Sequence, residues 1–106
     1  MEIDDAVRAL SALAQKTRLE VFRLLVKSGP EGQAPGRLAP RLGLPPATLS
    51  FHLKELRGAG LILCRQEGRS RIYQPDFEAM NELATFLTEN CCQGFSASTS
   101  DPLGPA

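Results

Sequence analysis

Ile3, Val7, Leu10 and Ala14 recur at three- and four-residue intervals, the spacing that gathers side chains on one stripe of an amphipathic helix. A second apolar series, Leu19, Phe22, Leu25 and Val26, runs through "TRLEVFRLLVKSG", and Gly29 with Pro30 supplies its stop. "EGQAPG" then reads as a loop. In "GRLAPRLG", Leu38, Ala39 and Leu42 form a short apolar face that Gly43 closes. Pro40 fits only a brief helix with the proline near its first turn. "LPPATLSFHLKELRGAG" restarts a helix almost at once. Pro46 suits the first helical position, where its missing N–H has no intrahelical partner, and Leu49, Leu53 and Leu56 line one side.

After Gly60 the pattern changes period. "LILCRQ" and "RSRIYQ" are β-prone runs around "EGR" and predict a hairpin. Asp76 as N-cap, Glu78 in the first turn and the stripe Phe77, Met80, Leu83, Ala84, Leu87 predict a last helix. The predicted class is mainly α with a small β-hairpin, in the order ααααββα. Two short helices across a Gly-containing turn make a helix-turn-helix, and the hairpin is its wing. Residues 1–90 are expected to form the winged-helix domain, and residues 91–106 a ligand segment and tail. The small, polar, Pro-containing "SASTSDPLGPA" predicts mobility.

A chain of 106 residues supports one domain, and no apolar run approaches the roughly 18 residues of a membrane span. The acidic start "MEIDDAVRAL" is unlike a signal peptide, so a soluble, cytoplasmic protein without a membrane partner is expected. Net charge is zero, but its distribution is not even. From Arg37 to Arg71, seven basic residues (37, 41, 54, 57, 65, 69, 71) meet two acidic ones (55, 67), a local excess of +5. A basic middle, balanced by acidic residues elsewhere in the chain, points to nucleic acid on one face.

On the second helix of the helix-turn-helix, turning the leucines inward directs Ala47, Ser50, Phe51 and Lys54 outward, with Thr48 on a flank and His52 near the core edge. That set suits a major groove about 12 Å wide. Thr48 and Ser50 can donate to phosphates or base edges, Lys54 adds charge, and Phe51 can touch a thymine methyl or cover a neighbouring element. His52 can read a base or pack. Arg65, Arg69 and Arg71 in the hairpin would reach phosphates. Enzymatic activity is not expected: the sequence has no metal triad, no nucleophile with its base, no paired carboxylates and no phosphate-binding Gly loop.

From Leu10 to about Leu87 the chain resembles the ArsR/SmtB family of bacterial winged-helix repressors, through "LAQKTRLEVFRLL", "LAPRLGLPPATLSFHLKELRGAGLI" and "EGRSRIYQ". The resemblance implies a homodimer joined by its first and last helices, binding a palindromic operator and released from DNA by a metal or metalloid. Family members that sense arsenic or cadmium carry a Cys-Val-Cys type motif near the start of the helix before the recognition helix. "EGQAPGRLA" has no cysteine. Zinc-binding members use Asp, His and Glu on the last helix, whereas His52 is this chain's one histidine. The pair Cys91–Cys92 resembles a third variant, in which two adjacent cysteines end the last helix and capture trivalent arsenic, as arsenite or methylarsenite.

Adjacent helical residues diverge by about 100°, so both thiols can face one ion only if the helix ends there, and Asn90 and Gly94 are plausible end signals. A disulfide between neighbours is disfavoured, since a trans peptide sets their Cα atoms about 3.8 Å apart and disulfides need about 4.4–6.8 Å. The negative helix end and Glu89 should raise the thiol pKa values, which makes a thiol or persulfide redox-sensing repressor the weaker reading. A winged-helix protein-interaction module is a further alternative. Arsenite usually takes three thiolates. Cys64 is expected to be a buried structural cysteine in the first wing strand, and where the family variant has a tail cysteine this tail offers Ser96, Ser98 and Ser100. A tail serine or cellular thiol could complete an arsenite site; a monomethylated arsenical needs only the pair.

Overall fold

A computed structural model describes residues 1–94. Its elements are α1 (Ile3–Leu13), α2 (Lys16–Ser28), α3 (Pro35–Leu42), α4 (Pro46–Gly58), β1 (Ile62–Glu67), β2 (Ser70–Pro75) and α5 (Phe77–Thr88). The order is the expected ααααββα, a winged helix-turn-helix. The expected mobility of the tail and the candidate ligands Ser96, Ser98 and Ser100 lie outside the described residues.

Val21, Phe22 and Leu25 of α2, Leu38 and Ala39 of α3, and Leu49, Leu53 and Leu56 of α4 meet in one core, closed from the wing side by Leu61, Ile62 and Tyr73. Apolar side chains at 3.6-residue spacing dictate this arrangement, each buried aliphatic contributing about 1.5–3 kcal/mol. The side of α1 that faces this core is Ala6, Ala9 and Ala12. Its larger apolar stripe points outward: Ile3 is 62% exposed, Val7 54% and Leu10 40%. Helix α5 is thinly covered as well. Leu83 is buried, Met80 and Phe86 are half-buried, and Ala84 and Leu87 are exposed.

Helix α3 corrects one expectation. It begins at Pro35, so Pro40 is in its last turn and not near its first. Two turns are few enough that the one backbone bond a proline removes is tolerated there, and Gly43 follows in the left-handed conformation at φ 66°. The turn from Gly43 to Pro45 leads into α4, with Pro46 at its first position as expected.

The hairpin pairs Cys64 with Tyr73 and Glu67 with Ser70 across the two-residue loop Gly68–Arg69, where Gly68 supplies a positive φ. The segment "EGQAPG" is not wholly loop. Gln33 exchanges both backbone hydrogen bonds with Tyr73, at 2.9 Å each, and so adds a one-residue third strand to the wing. Gly32 makes this possible: φ is +77°, and a Cβ there would lie 2.6 Å from the Tyr73 carbonyl oxygen. The wing is thereby fixed to the α2–α3 connection.

Candidate functional site

Leu49, Leu53 and Leu56 are at most 1% exposed, and this sets the rotation of α4 about its axis. The opposite face carries Ala47, Thr48, Ser50, Phe51 and Lys54, all exposed as expected. Phe51 is 55% exposed, and its ring stands edge-on to that of His52, centroid to centroid 5.5 Å.

His52 belongs to the interior. It is 6% exposed, and its Nδ1 accepts from Arg18 Nη1 at 3.5 Å, so it is not presented to a base edge. Burial first, and then the Arg18 charge, hold its pKa below the ordinary 6.5, with Glu55 opposing. Of the alternatives open in the sequence, packing is the one the geometry supports.

Strand register separates the wing arginines. Facing pairs Arg65–Ile72 and Gln66–Arg71 place Arg65 and Arg71 on opposite faces of the hairpin. Arg65 is engaged within the chain: Nη2 donates to the Glu31 carbonyl at 2.6 Å, Nε to Glu67 at 2.7 Å, and Nη1 to the Gln74 side chain. These contacts clamp the base of the wing, and the expected phosphate contact would require Arg65 to leave them. Arg69 at the loop and Arg71 on β2 are exposed. Arg71 lines a groove between β2 and α4 together with Ser50, Lys54 and Arg57, with Pro35 and Tyr73 beside them. Arg57 was not among the site residues read from the sequence. Its signal was present, because 50, 54 and 57 fall on one helical face. Three cations against the single carboxylate of Glu55 around one groove, joining a helix to a wing, suit a phosphate backbone.

The second feature is at the far end of the chain. Helix α5 stops at Thr88, and the backbone then turns through Asn90 at φ 60° and Cys92 at φ 68°. The reversal brings the Cys91 and Cys92 Sγ atoms together, 2.7 Å apart, with both residues exposed. Their hydrogen bond, followed by slight desolvation, raises the Cys91 thiol above its ordinary pKa. Cys64 packs against the core but is half-buried, less covered than expected. Among the described residues, no group of three or more Cys, His, Asp or Glu gathers as a metal cluster.

A helix-turn-helix that turns its polar face outward beside a basic hairpin defines a winged-helix DNA-binding domain. Residues 13–65 match the family model described as a helix-turn-helix domain. Among solved structures, an ArsR-like transcriptional regulator from Rhodococcus sp. RHA1 superposes with a TM-score of 0.71 at 27% identity, covering 79% of this chain and 76% of that one. The homodimeric winged helix-turn-helix domain of a possible ArsR-family regulator from Mycobacterium bovis gives a TM-score of 0.68 at 28% identity, over 81% and 78%. A putative arsenical resistance operon repressor of Halobacterium salinarum is 37% identical over 68 residues, 64% of this chain and 52% of that protein. The chain thus spans about half the length of that relative. It belongs to the ArsR/SmtB family of winged-helix transcriptional regulators, which act by binding DNA and are not enzymes. No helix among its described residues is long and apolar enough to cross a membrane.

Proposed function

We propose that the protein is a cytoplasmic homodimeric repressor that binds a palindromic operator and leaves it when Cys91 and Cys92 bind trivalent arsenic. The convergence of two exposed sulfurs just past α5 carries the ligand assignment. Thiols are the soft donors a thiophilic metalloid prefers over hard oxygen ligands, and each gives up its proton on bonding. The raised Cys91 pKa disfavours the thiolate that oxidant or persulfide chemistry needs, which weighs against redox sensing.

The exposed stripe Ile3, Val7, Leu10 on α1, together with exposed Leu87 on α5, supports dimerisation through the first and last helices. In such a dimer two α4 helices about 34 Å apart would enter successive major grooves. Ala47, Thr48, Ser50 and Phe51 would meet base edges there, while Lys54, Arg57, Arg69 and Arg71 would hold phosphates. The cation-lined groove between α4 and β2 favours DNA over a protein partner.

Titrating the reduced protein with arsenite and with methylarsenite, while counting bound arsenic and lost thiols, tests the site. One arsenic per chain with the loss of two thiols is expected, and lost together with Cys91→Ser and Cys92→Ser. Undiminished binding by that double variant would refute the assignment.

A further inference from the structure

Arg18 hydrogen-bonds both to the end of α1 and to the middle of α4. Its Nε donates to the Ala12 carbonyl at 2.7 Å, while Nη1 reaches His52 Nδ1 at 3.5 Å, the long limit of a hydrogen bond. Ala12 O is among the last carbonyls of α1, which have no partner within the helix, so the guanidinium caps α1 from outside. Gln15 in turn holds the backbone beneath Arg18, its Oε1 accepting from Arg18 N at 2.6 Å. The two ends of this bridge face different surfaces. Ala12 terminates the helix whose outer stripe, Ile3, Val7 and Leu10, is uncovered, and His52 adjoins Phe51 and Ser50 on the DNA-facing helix.

We infer that Arg18 is a positioning residue for operator binding: by bridging Ala12 O and His52 Nδ1 it makes the dimer-forming helix and the recognition helix one rigid unit, and so sets the spacing of the two recognition helices. Arginine is suited to this because its planar fork aims separate N–H groups at two acceptors, whereas lysine carries a single compact charge. Arginine can only donate, so the bridge needs a bare Nδ1 and places the imidazole proton on Nε2. A bridge of this kind matters little to one protomer on one half-site. It matters where two half-sites must be engaged together, because the gain from bivalent binding is lost when geometry forbids simultaneous contact.

The inference rests on the proposed dimer, which sedimentation of the wild-type protein tests separately: a monomer there removes the dimer reading, whatever Arg18 does. The experiment compares Arg18→Lys, His52→Leu, their combination and His52→Asn with wild type, on a palindromic duplex selected from random DNA and on its isolated half-site, with thermal unfolding recorded for each. Arg18→Lys and His52→Leu should each weaken palindrome binding about tenfold while changing half-site binding less than about twofold, and the double variant should lose no more than either single one. His52→Asn, which keeps an acceptor near the Nδ1 position, should retain the wild-type ratio of the two affinities. Equal losses on both duplexes would reduce Arg18 to a local packing role. An unchanged ratio in folded Arg18→Lys and His52→Leu proteins would overturn the inference.

Discussion

His52 and Phe51 are neighbours on α4 with different surroundings, one buried and one exposed to solvent. Burial and Arg18 lower the folded-state pKa of His52 below its unfolded value, about 6.5. As pH falls through that value the unfolded chain takes up the proton first. The contribution of neutral His52 to stability is therefore complete above about pH 6.5 and is lost as pH drops from there toward the folded pKa. Thermal unfolding between pH 8 and 5 should show wild type losing more stability on acidification than His52→Asn, which has nothing to titrate at this position; parallel pH profiles would contradict this. The wing arginines make a second contrast. Arg71→Ala should weaken DNA binding and reduce the slope of log affinity against log salt by about 1, the signature of one lost phosphate contact. Arg65→Ala should leave that slope unchanged and lower thermal stability, since its three partners are Glu31, Glu67 and Gln74.

Two elements depend on contacts outside themselves, α1 on the second copy in the proposed dimer and the wing on the α2–α3 connection. Val7→Asp places a charge in the outward stripe of α1 without touching the Ala6, Ala9, Ala12 face, so it should leave the monomer folded and shift sedimentation from dimer to monomer. The wing depends on Gly32. Gly32→Ala forces a Cβ against the Tyr73 carbonyl at a positive φ, and a cost of about 2 kcal/mol or more is expected in denaturant unfolding. Periodicity was sufficient to find all five helices and the hairpin, because each buries a stripe or an alternating face. It could not say which face of α1 turns inward. Ala6, Ala9 and Ala12 are as regularly spaced as Ile3, Val7 and Leu10, and a partner's surface asks for the same apolar residues as a core. A single pair such as Gln33–Tyr73 has no alternation to detect. The separate fates of Arg65 and Arg71 follow from hairpin register, which the basic run "RQEGRSR" does not reveal.

At the scale of the whole molecule, zero net charge conceals a division of labour. The basic segment from Arg37 to Arg71 contains α4 and most of the wing, the compensating acidic excess follows Arg71, and α1 and α5 carry uncovered apolar residues. One surface meets DNA, and the other is suited to a second copy of the chain. The thiol pair follows α5, so in the proposed dimer a ligand there would act on the dimer helices and reach DNA by altering how the two α4 helices are spaced. A coupling of about 1–3 kcal/mol would lower operator affinity roughly 5- to 150-fold. The pair was legible in the sequence as two adjacent cysteines at a helix end. Their convergence depended on the backbone reversal at Asn90 and Cys92, for which Asn90 and Gly94 were the local signals.

The most direct test is the anisotropy of a labelled palindromic duplex bound by the reduced protein during titration with arsenite or methylarsenite. Release should be complete near one arsenic per chain with at least one of the two, and the Cys91→Ser, Cys92→Ser double variant should bind the duplex with wild-type affinity and stay bound. DNA that remains bound while the thiols are saturated with arsenic, or a double variant released as readily as wild type, would contradict the account.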